Sequence, residues 1–404
     1  MSTSLLYHIY SIRGYQYRST KKVSGGIEFY IEQPKEKCRC PECKSQNVIL
    51  KGAKTRRFLA PPMADRKVTI ILEVPRVQCR DCKTLRQVHI SFARPMRRHL
   101  RAFERYVLGL LESMTCKDVA RHLVTSWGRI REIEKEHLGR HYARPPLKDV
   151  KHIAIDEIAV KKGHKYMTVV LDLDTNKVVF VGDGRGSDAL KPFWKRLRRS
   201  QAEIRAVATD MSPAYISAVE AALPDAIFVF DRFHIIKLFN DKLTELRRRL
   251  YRETSDGEAR DALKGSRWIL LKRSESLDPS RSEPERLARA LKLNSDLSVA
   301  HFLKEELSEI WEQDDRDTAE GMLLDWIVFA ESLGIKELAA FAKTLRRHAT
   351  GILAYYDAEI TTGPLEGINN KIKTMKRQSY GFRDQEYFKL KILSLHRTRY
   401  ALLG

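Results

Sequence analysis

Two closely spaced cysteine pairs constrain the first part of this chain more than any other feature does. Cys40-Pro-Glu-Cys43 and Cys79-Arg-Asp-Cys82 each present two thiolates from a tight turn. Together they supply the tetrahedral thiolate set that structural Zn²⁺ prefers. The segment VTIILEVPRVQC alternates as a β-strand does, so we predict a zinc ribbon with a long hairpin. Cys38 could replace Cys40 as a ligand, and four reduced cysteines without a metal are the alternative.

The excess of basic residues indicates which class of molecule the protein binds. Lys and Arg number 74 against 52 Asp and Glu, which gives a net charge of +22. This excess favours nucleic acid, because neutralising phosphates releases counterions. An anionic membrane surface is the rival partner, but no segment approaches roughly 18 consecutive apolar residues. The N-terminus MSTSLLYHIYSIRGYQY lacks the parts of a signal peptide, so we expect a cytoplasmic, nucleoid-associated protein.

Residues 114–138, MTCKDVARHLVTSWGRIREIEKEHL, have the pattern of a helix-turn-helix. Thr115 followed by Asp118 resembles a capping box, with Asp in place of Glu. Thr125 and Ser126 can cap the second helix. The inward-facing residues would be Val119, Ala120, Leu123, Ile130 and Ile133. The side chains that the second helix would present to a DNA groove are Trp127, Arg129 and Arg131. A generic helical hairpin is the alternative.

The middle of the chain predicts a mixed sheet with two aspartates at its centre. Asp156 lies within the strand HIAIDEIAV, and Asp210 ends the strand IRAVATD. Three hairpin-linked strands followed by helix, strand, helix and strand are the order of the RNase H fold. In that fold the first and fourth strands are neighbours. We therefore expect both aspartates to point into one site.

A third carboxylate is expected on a later helix. In TTGPLEGINNKIKTMKR, Gly363 and Pro364 break the chain and begin a helix, with Glu366 in its first turn. At helical spacing, the residues that would share a face with Glu366 are Asn370, Lys373 and Arg377. A carboxylate followed by amide and basic groups suits a phosphodiester substrate.

These three carboxylates, Asp156, Asp210 and Glu366, form the predicted catalytic site. Mg²⁺ and Mn²⁺ prefer oxygen ligands. Two such ions, about 3.5–4 Å apart, can activate the attacking oxygen and stabilise the leaving one. Each carboxylate also has an ordinary structural interpretation, as a turn or cap residue or as a complement to the helix dipole.

Three motifs follow one another in the order of a known family. After the cysteine pairs and the helix-turn-helix come VATDMSPAY, FDRFHIIK and GPLEGINNKIKTMKRQSYGF. This order covers nearly the whole chain and resembles the ISL-three family of bacterial insertion-sequence transposases. The resemblance implies a DDE transposase that cuts DNA at terminal inverted repeats and joins the freed ends to a target. By motif, it assigns Asp156, Asp210 and Glu366 as the metal-binding triad.

The segment Asp231-Arg-Phe-His234 is similar to a (Cys/Asp)-x-x-His motif of DDE enzymes that carry a large insertion before the catalytic Glu. The resemblance implies that Asp231 and His234 lie near the active site, where the histidine orders the site or contacts DNA. A histidine that is simply buried and hydrogen-bonded beside an aspartate is the alternative.

The long separation between Asp210 and Glu366 is filled by apolar residues at helical spacing. This segment resembles the all-helical insertion domain of such transposases, which we expect over residues 250–354. Basic runs at Arg247-Arg248-Arg249 and Lys272-Arg273 could follow a DNA backbone or form a solvated face. Trp268 lies between basic residues and could stack on a base displaced near the cut. A core tryptophan is the favoured interpretation of this residue.

The predicted fold is a multidomain α+β chain with an RNase H-like α/β core. The expected domains are a zinc ribbon (1–95), a helix-turn-helix domain (96–147), the first part of the catalytic core (148–249), the helical insertion (250–354) and the second part of the core with a C-terminal helix (355–404).

Two other functions compete with the transposase. A transposase-derived DNA-binding regulator would use the zinc ribbon and helix-turn-helix alone, and the intact triad argues against it. An RNA-guided nuclease or junction resolvase would share the core, but compact guided nucleases carry their zinc module late in the chain. Because cut-and-join chemistry holds two DNA ends together, we expect a homodimer or larger assembly on double-stranded DNA.

Overall fold

The computed structural model of the chain describes residues 5–161, 163 and 165–397. The chain forms two compact units. Unit 1 combines Met1–Ala143 with Thr374–Gly404, and unit 2 is Arg144–Lys373. The predicted C-terminal segment 355–404 is thus shared between the two units.

The elements up to residue 230 include both strands and helices. In chain order, the first are α1 (Leu5–Tyr10), β1 (Gln16–Val23), β2 (Gly26–Glu32), β3 (Val48–Met63), β4 (Arg66–Cys79), β5 (Leu85–Gln87), α2 (Arg101–Leu110), α3 (Cys116–His122) and α4 (Trp127–His141). The central ones are β6 (His152–Lys161), β7 (Lys165–Asp172), β8 (Lys177–Asp183), α5 (Ser187–Ser200), β9 (Ala206–Thr209), α6 (Pro213–Ala222) and β10 (Ile227–Phe230).

The remaining elements are helical. They are α7 (Arg232–Glu253), α8 (Gly257–Gly265), α9 (Glu283–Lys292), α10 (Ser295–Glu309), α11 (Arg316–Ser332), α12 (Lys336–Leu353), α13 (Tyr355–Ala358), α14 (Gly363–Gln378) and α15 (Gln385–Leu393). Short 3-10 turns occur at Lys35–Lys37, Ile269–Leu271, Ser274–Ser276, Pro279–Arg281 and Leu395–Arg397. No helix within the described residues is long and apolar enough to cross a membrane.

Unit 1 is built on a sheet with strand order β1-β2-β4-β3, and β5 pairs with β4. β3 and β4 form the long antiparallel hairpin that the sequence predicts between the cysteine pairs. Phe58 and Leu72 from this hairpin share one hydrophobic core with Val119 and Ile130 from α3 and α4. The sheet and the helix-turn-helix therefore stabilise each other instead of folding around separate cores.

The two helices α3 and α4 begin near the predicted caps. Thr115 Oγ1 accepts a hydrogen bond from the Asp118 N–H at 3.3 Å, which confirms the capping interaction. All five predicted inward-facing residues of the two helices are buried. Ser126 occupies the N-cap position of α4 but makes no side-chain cap bond.

Unit 2 contains a sheet with strand order β10-β9-β6-β7-β8. β6, β7 and β8 are antiparallel neighbours, whereas β9 pairs in parallel with β6 and β10 in parallel with β9. The predicted pairing of the first and fourth strands is confirmed. Ile153 and Ile155 of β6 pack with α5 and α6 on one face, and strand alternation turns Asp156 to the other face.

The helices after β10 enclose a second core within unit 2. Phe239, Trp326 and Phe341 pack edge to face, with ring centroids 5.0 to 5.7 Å apart. Phe230 of β10 belongs to the same core. Gly351 of α12 lies directly against the Phe230 ring, where a Cβ atom would come within 2.4 Å. A glycine at this point allows the helix to cover the edge strand of the sheet.

Candidate active site

Asp156 and Asp210 lie side by side at the centre of the unit 2 sheet. β6 and β9 are in parallel register, with Ile155 opposite Thr209. The residue after each of these is an aspartate, Asp156 within β6 and Asp210 directly after the end of β9, so the two are neighbours across the sheet. This juxtaposition is the one that the predicted strand order requires.

Asp156 is surrounded by other carboxylates. Burial raises the pKa of Asp156 above its ordinary value, and so do the nearby Asp210 and Asp231, whereas the Glu157 N–H and His234 act in the opposite direction. Asp210 also has a local role, because its Oδ1 accepts the Ser212 N–H at 3.1 Å at the start of α6. Several like charges close together, with few cations among them, are a suitable environment for a divalent cation.

Asn369 of α14 contacts this site directly. Its Nδ2 donates to Asp156 Oδ2 at 2.7 Å, while Asp156 Oδ1 accepts the Glu157 N–H at 2.7 Å. Asn369 is 6% exposed, and its Oδ1 is buried without a hydrogen-bond partner among the described groups. The sequence reasoning missed this residue and named Asn370 instead. The apolar stripe of the helix (Leu365, Ile368, Ile372 and Met375) could have identified Asn369 as an inward-facing polar residue.

Glu366 lies on the same helix, one turn before Asn369, and its side chain is exposed. Among the described residues, the three predicted carboxylates do not form a set whose oxygens all lie within 4.8 Å of one another. The helix therefore brings Glu366 to the side of the sheet that carries Asp156 without closing the triad. The other residues of its predicted face, Asn370, Lys373 and Arg377, are also exposed.

Asp231 and His234 are close to the two aspartates. His234 Nδ1 and Asp231 Oδ2 are 2.7 Å apart, and Asp231 is buried at the N-cap of α7. The hydrogen bond to Asp231 is the main cause that raises the pKa of His234, and the charges of Asp156 and Asp210 act in the same direction. The histidine is thus both paired with a buried aspartate and near the predicted site, so the two interpretations are compatible.

Glu157 is a further acidic residue that the sequence reasoning did not select. Its Oε2 accepts a hydrogen bond from Tyr215 Oη at 3.5 Å. Burial, and then the charge of Asp210, raise the pKa of Glu157 above its ordinary value. Its position directly after Asp156 in the sequence was the available signal.

The four predicted cysteine ligands form one cluster in unit 1. The Sγ atoms of Cys40, Cys43, Cys79 and Cys82 all lie within 4.8 Å of one another. A backbone hydrogen bond stabilises the turn of each cysteine pair. The Cys40 N–H donates to the Ser45 carbonyl and the Cys79 N–H to the Thr84 carbonyl, both at 2.9 Å. Four thiols within reach of one ion fit a tetrahedral Zn²⁺ site.

Cys38 lies apart from that cluster. It is buried, and its Sγ donates to the Pro34 carbonyl at 3.6 Å. The geometry therefore favours Cys40 over Cys38 as the fourth thiolate.

The residues predicted to meet DNA outside the core have different environments. Trp127 is 49% exposed, and the Arg131 guanidinium lies 4.9 Å from its ring centroid. Arg129 is half-buried, with Nη1 donating to Thr125 Oγ1 at 2.6 Å. Within the second helix of the motif, Trp127 is thus the most accessible of these predicted contacts.

The favoured core interpretation of Trp268 is wrong. Its side chain is 66% exposed, and the Arg267 guanidinium lies 4.5 Å from its ring centroid. The physical reason is local, because the chain turns after α8 and the adjacent Ile269 and Leu270 occupy the buried positions. Trp268 therefore remains available to a ligand.

Three family models match the chain in the order of its parts. The zinc-finger of transposase IS204/IS1001/IS1096/IS1165 matches residues 36–82, and the helix-turn-helix domain of transposase family ISL3 matches residues 88–138. A model described as transposase matches residues 153–392. These matches define the class of the protein as a zinc-ribbon transposase.

Two curated relatives extend over most of the chain. The transposase for insertion sequence element IS1001 of Bordetella parapertussis is 31% identical over 369 residues, which are 91% of this chain and 90% of the relative. The transposase for insertion sequence element IS1557 of Mycobacterium tuberculosis (strain ATCC 25618 / H37Rv) is 27% identical over 396 residues, 91% of this chain and 87% of the relative. The chain belongs to the ISL3 family of insertion-sequence transposases.

Among solved structures, the Drosophila P element transposase strand transfer complex has a TM-score of 0.39 and 10% sequence identity, over 74% of this chain and 92% of that chain. A likeness this weak carries no weight for the fold or the site.

Proposed function

We propose that this transposase cleaves DNA at the ends of its insertion sequence and joins the freed 3′-OH ends to target DNA. Asp156, Asp210 and Glu366 would hold the divalent metal ions. The observation that carries the proposal is the parallel register that sets Asp156 beside Asp210, together with the hydrogen bond from Asn369, on the helix of Glu366, to Asp156.

The proposed core has the RNase H-like fold, interrupted by an all-helical insertion at residues 250–354. The sheet order, with the first strand between the second and the fourth, supports the fold. The shared packing of Phe230 with α7, α11 and α12 supports an insertion that is anchored on the edge strand. We keep the domain boundaries 148–249 and 355–404 for the two parts of the core as part of this proposal.

The residues of the site fit magnesium or manganese. Asp156 and Asp210 would provide oxygen ligands, and the pKa of Asp156 is raised by burial and by the neighbouring charges of Asp210 and Asp231, which a divalent cation would offset. Glu366 is exposed in the first turn of α14, the helix that contacts Asp156 through Asn369, and would complete the ligand set. When bound, two such ions would activate the attacking oxygen and neutralise charge on the phosphoryl group.

The chain's own residues position the reaction. Asn369 holds one oxygen of Asp156 and the Glu157 N–H holds the other, which together fix the orientation of the carboxylate. His234, held by Asp231 and with its pKa raised by that contact, lies near the carboxylates and would contact a phosphate oxygen. Asn370, Lys373 and Arg377 are exposed along α14 and would contact the DNA backbone.

The proposed steps balance without an external energy source. In cleavage, the oxygen of water attacks phosphorus, the P–O3′ bond breaks and the products are a 3′-OH and a 5′-phosphate. In joining, the 3′-OH oxygen attacks a target phosphorus and releases a target 3′-OH. In the second step one phosphodiester bond forms for each one broken. Because the DNA 3′-OH is itself the nucleophile, no covalent protein–DNA intermediate is required.

DNA-end recognition is proposed for the N-terminal part of the chain. The zinc ribbon and the helix-turn-helix, with Trp127, Arg129 and Arg131, would bind the terminal inverted repeats. The exposed Trp268 would stack on a base displaced near the cut, which its position beside Arg267 supports. Two ends must be held together, so the active form is proposed to be a homodimer or larger assembly on DNA.

The test is a cleavage and joining assay with the zinc-loaded full chain, Mg²⁺, and duplexes that carry the flanking repeats. Asp156→Asn, Asp210→Asn and Glu366→Gln should each abolish product. Asp225→Asn, an exposed aspartate in the turn before β10, is the matched control and should keep activity. Undiminished cleavage in any of the three site variants would refute the assignment of that residue.

A further inference from the structure

The three consecutive arginines of α7 have different partners. Arg249 is used inside unit 2, where its Nε and Nη2 donate to the two carboxylate oxygens of Glu337 at 3.0 and 3.1 Å. Arg249 also pairs with Glu253 at 3.0 Å. Arg247 and Arg248 have no ion pair with a carboxylate in the described part of the chain. Arg249 therefore stabilises the fold through ion pairs, whereas the charges of Arg247 and Arg248 are not balanced by a carboxylate among the described residues.

Arg247 lines a cavity of about 230 Å³ on the side of α7, together with Arg248, Tyr251 and Arg252. Its Nη1 donates to the Leu263 carbonyl at 2.9 Å, which fixes the guanidinium at the end of α8. Its Nε is buried and has no hydrogen-bond partner among the described groups. A buried unsatisfied donor is costly, so it indicates that a ligand completes the site.

Other arginines lie close to Arg247, two of them, Arg248 and Arg252, in the lining of the same cavity. Burial, and then the charges of Arg248 and Arg267, lower the pKa of Arg247. Arg252 donates from its Nε to the Arg248 carbonyl at 3.1 Å, and its side chain is exposed. Like charges held this close are unfavourable unless an anion offsets them.

The chemistry of the cluster selects a phosphodiester over a nucleobase. Guanidinium groups present paired N–H donors that match the oxygens of a phosphate. The Arg260 guanidinium lies 4.8 Å from the Tyr251 ring centroid, so a cation already occupies one face of the aromatic ring that lines the cavity. A nucleic acid bound here would be held through its phosphate charge and not through its base sequence.

We propose that Arg247, Arg248, Arg252 and Arg267, the Arg247 cluster, bind the phosphate backbone of duplex DNA without reading its sequence. This inference rests on the proposed function and adds to it a backbone-binding surface in the helical part of unit 2. The cluster would fix the DNA in position while other residues recognise the ends.

The experiment measures binding of the zinc-loaded full chain to two duplexes of equal length by fluorescence anisotropy, over a series of salt concentrations and without Mg²⁺ or Mn²⁺. One duplex carries the flanking repeat, and the other has the same bases in shuffled order. The variant is Arg248→Gln/Arg252→Gln, and both of these side chains are exposed. The control is Arg198→Gln/Arg199→Gln on α5, two exposed arginines with the same change of charge.

The expected result is a smaller salt dependence in the cluster variant. Each lost phosphate contact reduces the slope of log K against log salt by about 0.9, so two contacts reduce it by about 1.8 on both duplexes. The control should keep the slope of the original chain. Arg248→Lys/Arg252→Lys should keep most of the slope, because the charge remains. Thermal melting of each variant checks that folding is intact.

Three results overturn the inference. They are an unchanged slope in the cluster variant, an equal fall in the control, and a fall on the repeat duplex alone. The failure of the proposed function has a different signature, since the original chain would then bind both duplexes with the expected salt dependence but would not cut the repeat duplex when Mg²⁺ is added.

Discussion

Asn369 and Asp156 are 213 residues apart in the chain, and a hydrogen bond of 2.7 Å joins Asn369 Nδ2 to Asp156 Oδ2. This bond ties the helix that carries Glu366 to the central strand of the sheet. The amide acts on a carboxylate that we propose as a metal ligand, so it is a positioning residue and not a catalytic one.

Asn369→Ala should therefore weaken metal-dependent cleavage. A hydrogen bond to a charged group contributes about 1.5–3 kcal/mol, which corresponds to a roughly 10- to 100-fold loss of activity at low Mg²⁺. The loss should diminish as Mg²⁺ is raised, because excess metal can reorient Asp156. Initial cleavage rates over a Mg²⁺ series measure this. Gln378→Ala, an exposed amide on the same helix, is the control, and an equal loss in both variants would contradict a positioning role.

Zinc content should distinguish Cys40 from Cys38. Cys40→Ser removes one thiolate from the four-cysteine cluster, so the protein should lose bound zinc and melt at a lower temperature. Cys38→Ser changes a buried thiol outside the cluster and should retain one zinc per chain. Elemental analysis of the purified variants measures the ratio. Full zinc in Cys40→Ser would show that another residue completes the site.

The Arg249–Glu337 pair predicts a pH-dependent contribution to stability. Burial raises the pKa of Glu337, but the hydrogen bonds from Arg249 outweigh it, and the net pKa is below the ordinary value. Such a group stabilises the fold fully above its unfolded pKa, about 4.3, and the contribution is lost as the pH falls through the lower folded value. Glu337→Gln should lower the free energy of unfolding by about 2 kcal/mol at pH 7.

Denaturant unfolding at a series of pH values tests this prediction. The difference between Glu337→Gln and the original chain should shrink as the pH falls below about 4. Glu253→Gln removes the more exposed partner of the same arginine and should change stability by less than about 1 kcal/mol. A difference that stays constant with pH would mean that the variant acts through packing alone.

Glu134 and Lys391 form a buried ion pair within unit 1, with Nζ and Oε1 2.7 Å apart. Cys116 and Tyr387 also donate to Glu134, so both of its carboxylate oxygens accept hydrogen bonds. Lys391→Met leaves a buried carboxylate without its counterion and should cost about 3–5 kcal/mol of stability.

A double-mutant cycle separates this cost from lost packing. Glu134→Gln/Lys391→Met should be more stable than Lys391→Met alone, because the uncompensated charge is gone. The free energies of unfolding of the single and double variants provide the measurement. Strictly additive losses would indicate that the two side chains contribute independently.

Local patterns in the sequence determined the parts of this protein that depend on near neighbours. The C-x-x-C turns predict the thiolate cluster, because each pair is held by its own tight bend. Thr115 and Asp118 predict the start of α3. Alternating apolar residues predict the strands that carry Asp156 and Asp210, and the order of those strands predicts their pairing.

Contacts between distant residues were decided by tertiary structure. Asn369 and Asn370 have the same side chain and adjacent positions, yet only Asn369 faces the sheet, because the helix is rotated to bury Leu365 and Ile372. Trp268 is exposed although aromatic residues usually occupy cores, since Ile269 and Leu270 fill the available space.

The sequence by itself thus determined the zinc cluster, the helix-turn-helix and the two aspartates of the sheet, all of which follow from spacing and periodicity over short distances. Only the tertiary structure decided that Asn369 holds Asp156 and that Arg249, but not Arg247, has an internal carboxylate partner. The physical reason is that burial and charge pairing depend on which surfaces meet, and a linear pattern does not specify that.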